Sequence, residues 1–164
     1  MSQVLRELLY GKYAHADSLA CVSVPADVAG QRPEWSSHSI GQLVWHLNFW
    51  MEHDLKRIAG LPSLYPERAS LSWPIDASPS ADTWRRERAH FGELLERLAQ
   101  HADESPEQLA RAVPATHSSE VEHASSVEAV LWQTVVHNSY HIGQVVALRR
   151  ALRAWPPERG SDTW

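Results

Sequence analysis

"VEAVLWQTVVHNSYHIGQVVALRRALR", Val127 to Arg153, is the stretch on which the reading of the chain turns. Val127, Val130, Leu131, Thr134, His141, Val145, Leu148 and Leu152 recur every three or four residues, the repeat of a helix with one buried stripe. Ser125 and Glu128 have the spacing of a capping box at its start. Inside this helix stand His137 and His141. Residues four apart differ by about 40° of rotation and about 6 Å of rise, so both imidazoles point the same way. A core position ordinarily takes Leu or Val, because a buried polar ring needs a hydrogen-bond partner or a metal. Two explanations therefore stand: core histidines satisfied by protein groups, or two ligands of one ion. A zinc-protease helix is excluded, since that motif is HExxH and Asn138 occupies the position of its glutamate base.

Three further segments carry the helical period. The first, Val4 to Ala20, aligns Val4, Leu5, Leu8, Leu9, Tyr13, Ala16 and Leu19. The second, Ile40 to Ala59, aligns Ile40, Leu43, Val44, Leu47, Trp50, Met51, Leu55 and Ile58, with Ser39 and Gln42 as a capping box and Gly60 and Pro62 as its stop. The third, Ala81 to His101, uses Trp84, Phe91, Leu94, Leu95 and Leu98. Ser105, Pro106 and Gln108 predict a short additional helix with Pro in its first turn. Connections over about residues 22–38, 60–80 and 102–124 hold Pro, Ser and Gly, and no convincing strand alternation or internal repeat interrupts the pattern. The expected architecture is all-α, a four-helix bundle in one domain over residues 1–164, with connections long enough for a crossover.

The composition sets the outer bounds. A net charge of −5 gives no electrostatic reason to expect nucleic-acid binding. The apolar runs fall far short of the roughly 20 residues of a membrane span. "MSQVLRELLYGKY" has charges spread through it and no signal-peptide core, so a cytoplasmic location is expected. Cys21 is the only cysteine, which excludes intrachain disulfides and thiolate zinc sites, and it reads as a small core residue. Ten histidines and eight tryptophans are the unusual counts, and the histidines point toward metal or proton chemistry.

A third ligand for the His137–His141 pair is available in "SIGQLVWHLNFWMEHDL", residues 39–55. His46 lies on the flank of the apolar stripe among Leu47, Trp50 and Met51. His53 is about 10 Å further along the helix and is bracketed by Glu52 and Asp54, so His46 is the better candidate. His15, His38, His90, His101, His117 and His123 read as surface or loop residues.

"IGQLVWHL" on the second helix together with "HNSYHIGQVVALRRAL" on the fourth resembles the DinB/YfiT-like superfamily of metal-dependent hydrolases and transferases. The tail "AWPPERGSDTW" is similar to the end of some members. The resemblance implies a four-helix bundle with a three-histidine site. Carried over, the ligands are His46, His137 and His141, and Gly143–Gln144 match the pair that commonly follows the last of them. Three protein ligands leave a position open for water or substrate, the pattern of a catalytic ion. Neutral imidazoles suit Zn, Ni, Cu or Fe, with Zn or Ni the expected ion. Relatives of this kind include S-transferases that use a low-molecular-weight thiol such as bacillithiol or mycothiol. The implied function is thus a metal-dependent thiol transferase or hydrolase of small molecules, against the alternative of a non-catalytic metal-binding or stress-response bundle. Gln144 is expected either to hold a histidine tautomer or simply to pack between helices, and Trp50 to wall the pocket. Trp45 and Phe49 make the second helix apolar on its far side. With the resemblance, that predicts a homodimer.

Overall fold

The computed structural model describes residues 2–63, 66–74, 78–113 and 125–158. Its first helix, α1 (Ser2–Leu9), buries Leu5 and Leu9 and then stops. The expected continuation to Ala20 does not form. Gly11 takes φ 89° and Tyr13 φ 69°, both left-handed, and a Cβ at Gly11 would lie 2.5 Å from the His15 ring. Left-handed residues end the helical hydrogen-bond ladder, and glycine makes such an end inexpensive. Tyr13 and Leu19, expected in the buried stripe, lie beyond the break and are accordingly exposed, at 71% and 39%, and Val4, also expected there, is 51% exposed within α1. Asp17 then accepts the N–H of Ala20 at 2.7 Å and opens the single turn α2 (Ser18–Cys21). Another short helix, α3 (Ala26–Gly30), falls within a stretch expected as connection, because one turn is too short to display a period.

Ser39 caps α4 (Ile40–Ile58) as expected. Its Oγ accepts the Gln42 N–H at 3.2 Å while Gln42 Oε1 accepts the Ser39 N–H at 3.0 Å. Gly60, at φ 68°, follows its end. A 3₁₀ turn at Ala69–Ser72 then leads back against α4. The helix α5 (Ala81–Ala102) is capped by Ser80 and buries Trp84, Phe91, Leu94, Leu95 and Leu98. The short α6 (Pro106–Leu109) has the predicted Ser105–Gln108 capping box. Two-residue strands β1 (Ala112–Val113) and β2 (Ser125–Ser126) pair antiparallel, an element with no legible alternation in the sequence. The last helix, α7 (Val127–Ala151), is capped by Ser126 rather than Ser125, since Ser125 belongs to that strand pair.

Four helices, α1, α4, α5 and α7, form the bundle, and among the described residues the fold is all-α apart from the strand pair. α4 packs against α5 and α7, and α1 packs against the same two, so α1 and α4 occupy opposite corners. The core between them includes Ile40, Leu43, Leu47, Met51, Phe91, Leu95 and Leu131, all essentially without solvent contact. Full burial of each such side chain contributes about 1.5–3 kcal/mol. Among the described residues no helix is long and apolar enough to cross a membrane.

Candidate metal centre

The contact between α4 and α7 brings together His46, His137 and His141, whose ligand atoms all lie within 4.8 Å of one another. The ring centroids are 4.8 Å apart for His46 and His141, 5.2 Å for His46 and His137, and 4.6 Å for the α7 pair. His46 and His141 are buried and His137 is half-buried. Among the described residues no other group of three potential ligands converges in this way.

Hydrogen bonds orient two of the three rings. Nδ1 of His46 lies 2.8 Å from the Ser72 carbonyl, and Nδ1 of His141 lies 2.7 Å from Gln144 Oε1. Each oxygen accepts, so each Nδ1 carries the proton and each Nε2 keeps its lone pair. That tautomer is the one a metal-binding imidazole needs. Burial pushes His46 and His137 down to about 4, with the neighbouring histidines adding to the effect. Burial also lowers His141, against the opposing pull of Gln144. Near neutral pH the rings are therefore uncharged, the form in which imidazole coordinates an ion. By position, tautomer and charge the residues present fit a divalent transition-metal ion.

The surroundings follow the sequence reading only in part. His53, set aside as a ligand, is 4% exposed and packs edge-on against Trp50 with Asp54 3.8 Å away, outside the three-histidine group as expected. His38, expected on a loop surface, is half-buried and stacks on Trp73 at 3.7 Å. Trp73 stacks in turn on His46 at 3.8 Å, so the indole lies between two imidazoles. Trp50 meets His46 and His137 edge-on at 6.2 and 6.4 Å. It does not line the cavity of about 520 Å³ that opens beside His141, which is walled by Trp35, His38, Trp73, Tyr140 and Gln144. The other histidines expected at the surface are half-buried as well: His15 contacts the Ala16 carbonyl, His90 pairs with Glu52 and His101 with Glu104. His117 and His123 lie outside the described residues.

Sequence reasoning missed Ser72, Trp73 and His38. They sit in connections and reach the site only because the 3₁₀ turn and the segment before α4 fold over that helix. The one available signal was the placing of Trp35 and Trp73 in otherwise polar loops. Cys21 is fully buried and its thiol is pushed up to about 11 by that burial, so it is chemically quiet.

Comparison with curated proteins returns no match. Residues 14–145, which hold all three histidines, match the DinB superfamily, and the chain belongs to that superfamily.

Proposed function

We propose that this protein is a metal-dependent enzyme acting on small molecules, and that it joins a low-molecular-weight thiol to an electrophile. The observation that carries this reading is the convergence of His46, His137 and His141 beside an open aromatic cavity. An ion held there, Zn or Ni by expectation, would supply Lewis acidity that keeps a bound thiol or water ionised near neutral pH. The chain's own residues do the rest. Ser72 and Gln144 keep the His46 and His141 rings in their donor tautomers. Trp73 and Tyr140 offer flat walls that orient a planar substrate and exclude water from its faces. Among the described residues no Asp, Glu, Lys or Arg lines the cavity, which favours an uncharged aromatic or unsaturated electrophile. With no carboxylate in the described lining of this cavity to act as base there, a nucleophile brought in as cosubstrate is favoured over hydrolysis.

The homodimer belongs to this reading as well. Trp45 and Phe49 are half-buried and stacked at 5.7 Å, and α7 leaves Trp132, Val136 and Tyr140 exposed along one side. Light scattering at micromolar concentration checks it, and a monomeric mass counts against it.

The test of activity is conjugation of bacillithiol, mycothiol or a simple thiol to chlorodinitrobenzene by Zn²⁺- or Ni²⁺-loaded protein. The expected rate requires metal, disappears in His137→Ala and persists in Cys21→Ala. A rate no higher than background with every thiol rejects the transferase. The metal titration of the same sample then reports separately on the non-catalytic alternative.

A further inference from the structure

A second cavity, of about 780 Å³, lies between α2, α5 and the segment that follows α7, and it shares no lining residue with the cavity beside His141. Three guanidiniums line it: Arg88 from α5, Arg149 from the end of α7 and Arg153 just beyond. In a chain of net charge −5 this is a local inversion of sign, and among the described residues Glu158 is the one acidic residue in the lining. None of the three arginines forms an ion pair among the described residues.

Arg149 is held in place without being neutralised. It is 3% exposed, and its Nε donates to the Ala154 carbonyl at 2.8 Å while Nη1 donates to the carbonyls of Ala20 and Cys21 at 2.7 and 2.9 Å. Burial lowers its pKa, and the charge of Arg88 acts in the same direction. Arg88 donates to Ser23 Oγ at 2.9 Å, and its buried Nε has no hydrogen-bond partner among the described residues. Trp155 packs against Arg149 and Arg150 with guanidinium-to-ring distances of 5.5 and 5.6 Å, which fixes the indole as one wall. Leu19, Val24 and Pro157 add apolar lining. Like charges gathered around one cavity repel, and an oxyanion placed among them relieves that repulsion and accepts their free N–H groups. The apolar walls suit the body to which such an oxyanion is attached.

We propose that this cleft binds a small organic anion, a carboxylate or phosphate monoester on an apolar body, through Arg88, Arg153 and the backbone-anchored Arg149. Arg149, Arg153 and Trp155 lie beyond residues 14–145, so a large part of the cleft falls outside the span matched to the superfamily. The inference does not depend on the histidine site.

Calorimetric titration of the full chain with phenyl phosphate, benzoate and inorganic phosphate tests it. Phenyl phosphate or benzoate is expected to bind more tightly than inorganic phosphate, and the tighter of the two names the oxyanion. The double variant R88Q/R153Q, which leaves the carbonyl-bound Arg149 in place, should weaken that binding by at least about tenfold, the scale of one charged hydrogen bond. His137→Ala should leave it unchanged. Failure of both organic anions to bind overturns the proposal. So does equal affinity in R88Q/R153Q, or binding no tighter than that of inorganic phosphate.

Discussion

Where α1 meets α5, the molecule buries hydrocarbon and keeps charge outside. Leu5 and Leu9 face the core, while Arg6 reaches out to Asp103 at 2.6 Å and Glu96 at 3.3 Å, and Tyr10 donates to Glu96 at 2.7 Å. Where α4 meets α7, comparable burial admits His46, His141, Thr134 and Asn138. Most of these find local partners: Thr134 donates to Asp54 at 2.8 Å, and Asn138 donates to the Met51 sulfur at 3.4 Å. The Asn138 side-chain amide oxygen is buried without one among the described residues. An unsatisfied buried polar atom costs about 1–3 kcal/mol, so a seam built only for stability would hold leucines here. The difference teaches that the two seams answer to different demands. One supplies cohesion; the other gives up some of it to bring donor atoms together.

The comparison can be broken most decisively at the histidines. Replacing His137 and His141 together with alanine should abolish stoichiometric Zn²⁺ binding by calorimetry. Zn²⁺ at about a hundred times its Kd should stabilise the wild type by about 2.7 kcal/mol, and the double variant not at all. Undiminished Zn²⁺ affinity in that variant would end the metal assignment. Next in size is Leu98→Ala in the apolar core of α5, which should cost about 2–5 kcal/mol in denaturant unfolding while leaving Zn²⁺ affinity of the folded protein intact. A parallel loss of affinity would mean that the seams are not separable. Gln144→Leu should weaken Zn²⁺ binding about 10–100-fold, since it frees the His141 ring to turn, with little change in unfolding midpoint. The reverse pattern would make Gln144 a packing residue. Smallest is Arg6→Ala. Its ion pairs are a third to a half exposed, so no more than about 1 kcal/mol should be lost, and less at high salt. A larger loss would place part of the bundle's cohesion on the surface charges.

What was legible in the chain was whatever depends on one helix. The His137–His141 pair needs only helical geometry to point one way, and the Ser39–Gln42 and Ser105–Gln108 capping boxes need only their own spacing. The break after Leu9 was not legible, because Gly11 fits an amphipathic pattern as easily as it ends one. The depth at which His53 is buried was not legible either. Glu52 and Asp54 flank it in sequence, yet neighbours on a helix point about 100° apart and say little about its own face.

By itself, then, the sequence determined an all-α bundle, the inward turn of two histidines and the absence of an electrostatic case for nucleic acid. These follow from periodicity, local spacing and net charge, which survive without knowing what packs on what. Only the tertiary structure decided that Ser72, Trp73 and His38 close over the three histidines. It alone gathered Arg88, Arg149 and Arg153 around one cleft. Each of these depends on contacts between segments far apart in the chain, set by how the bundle faces pack and where the connections come to rest.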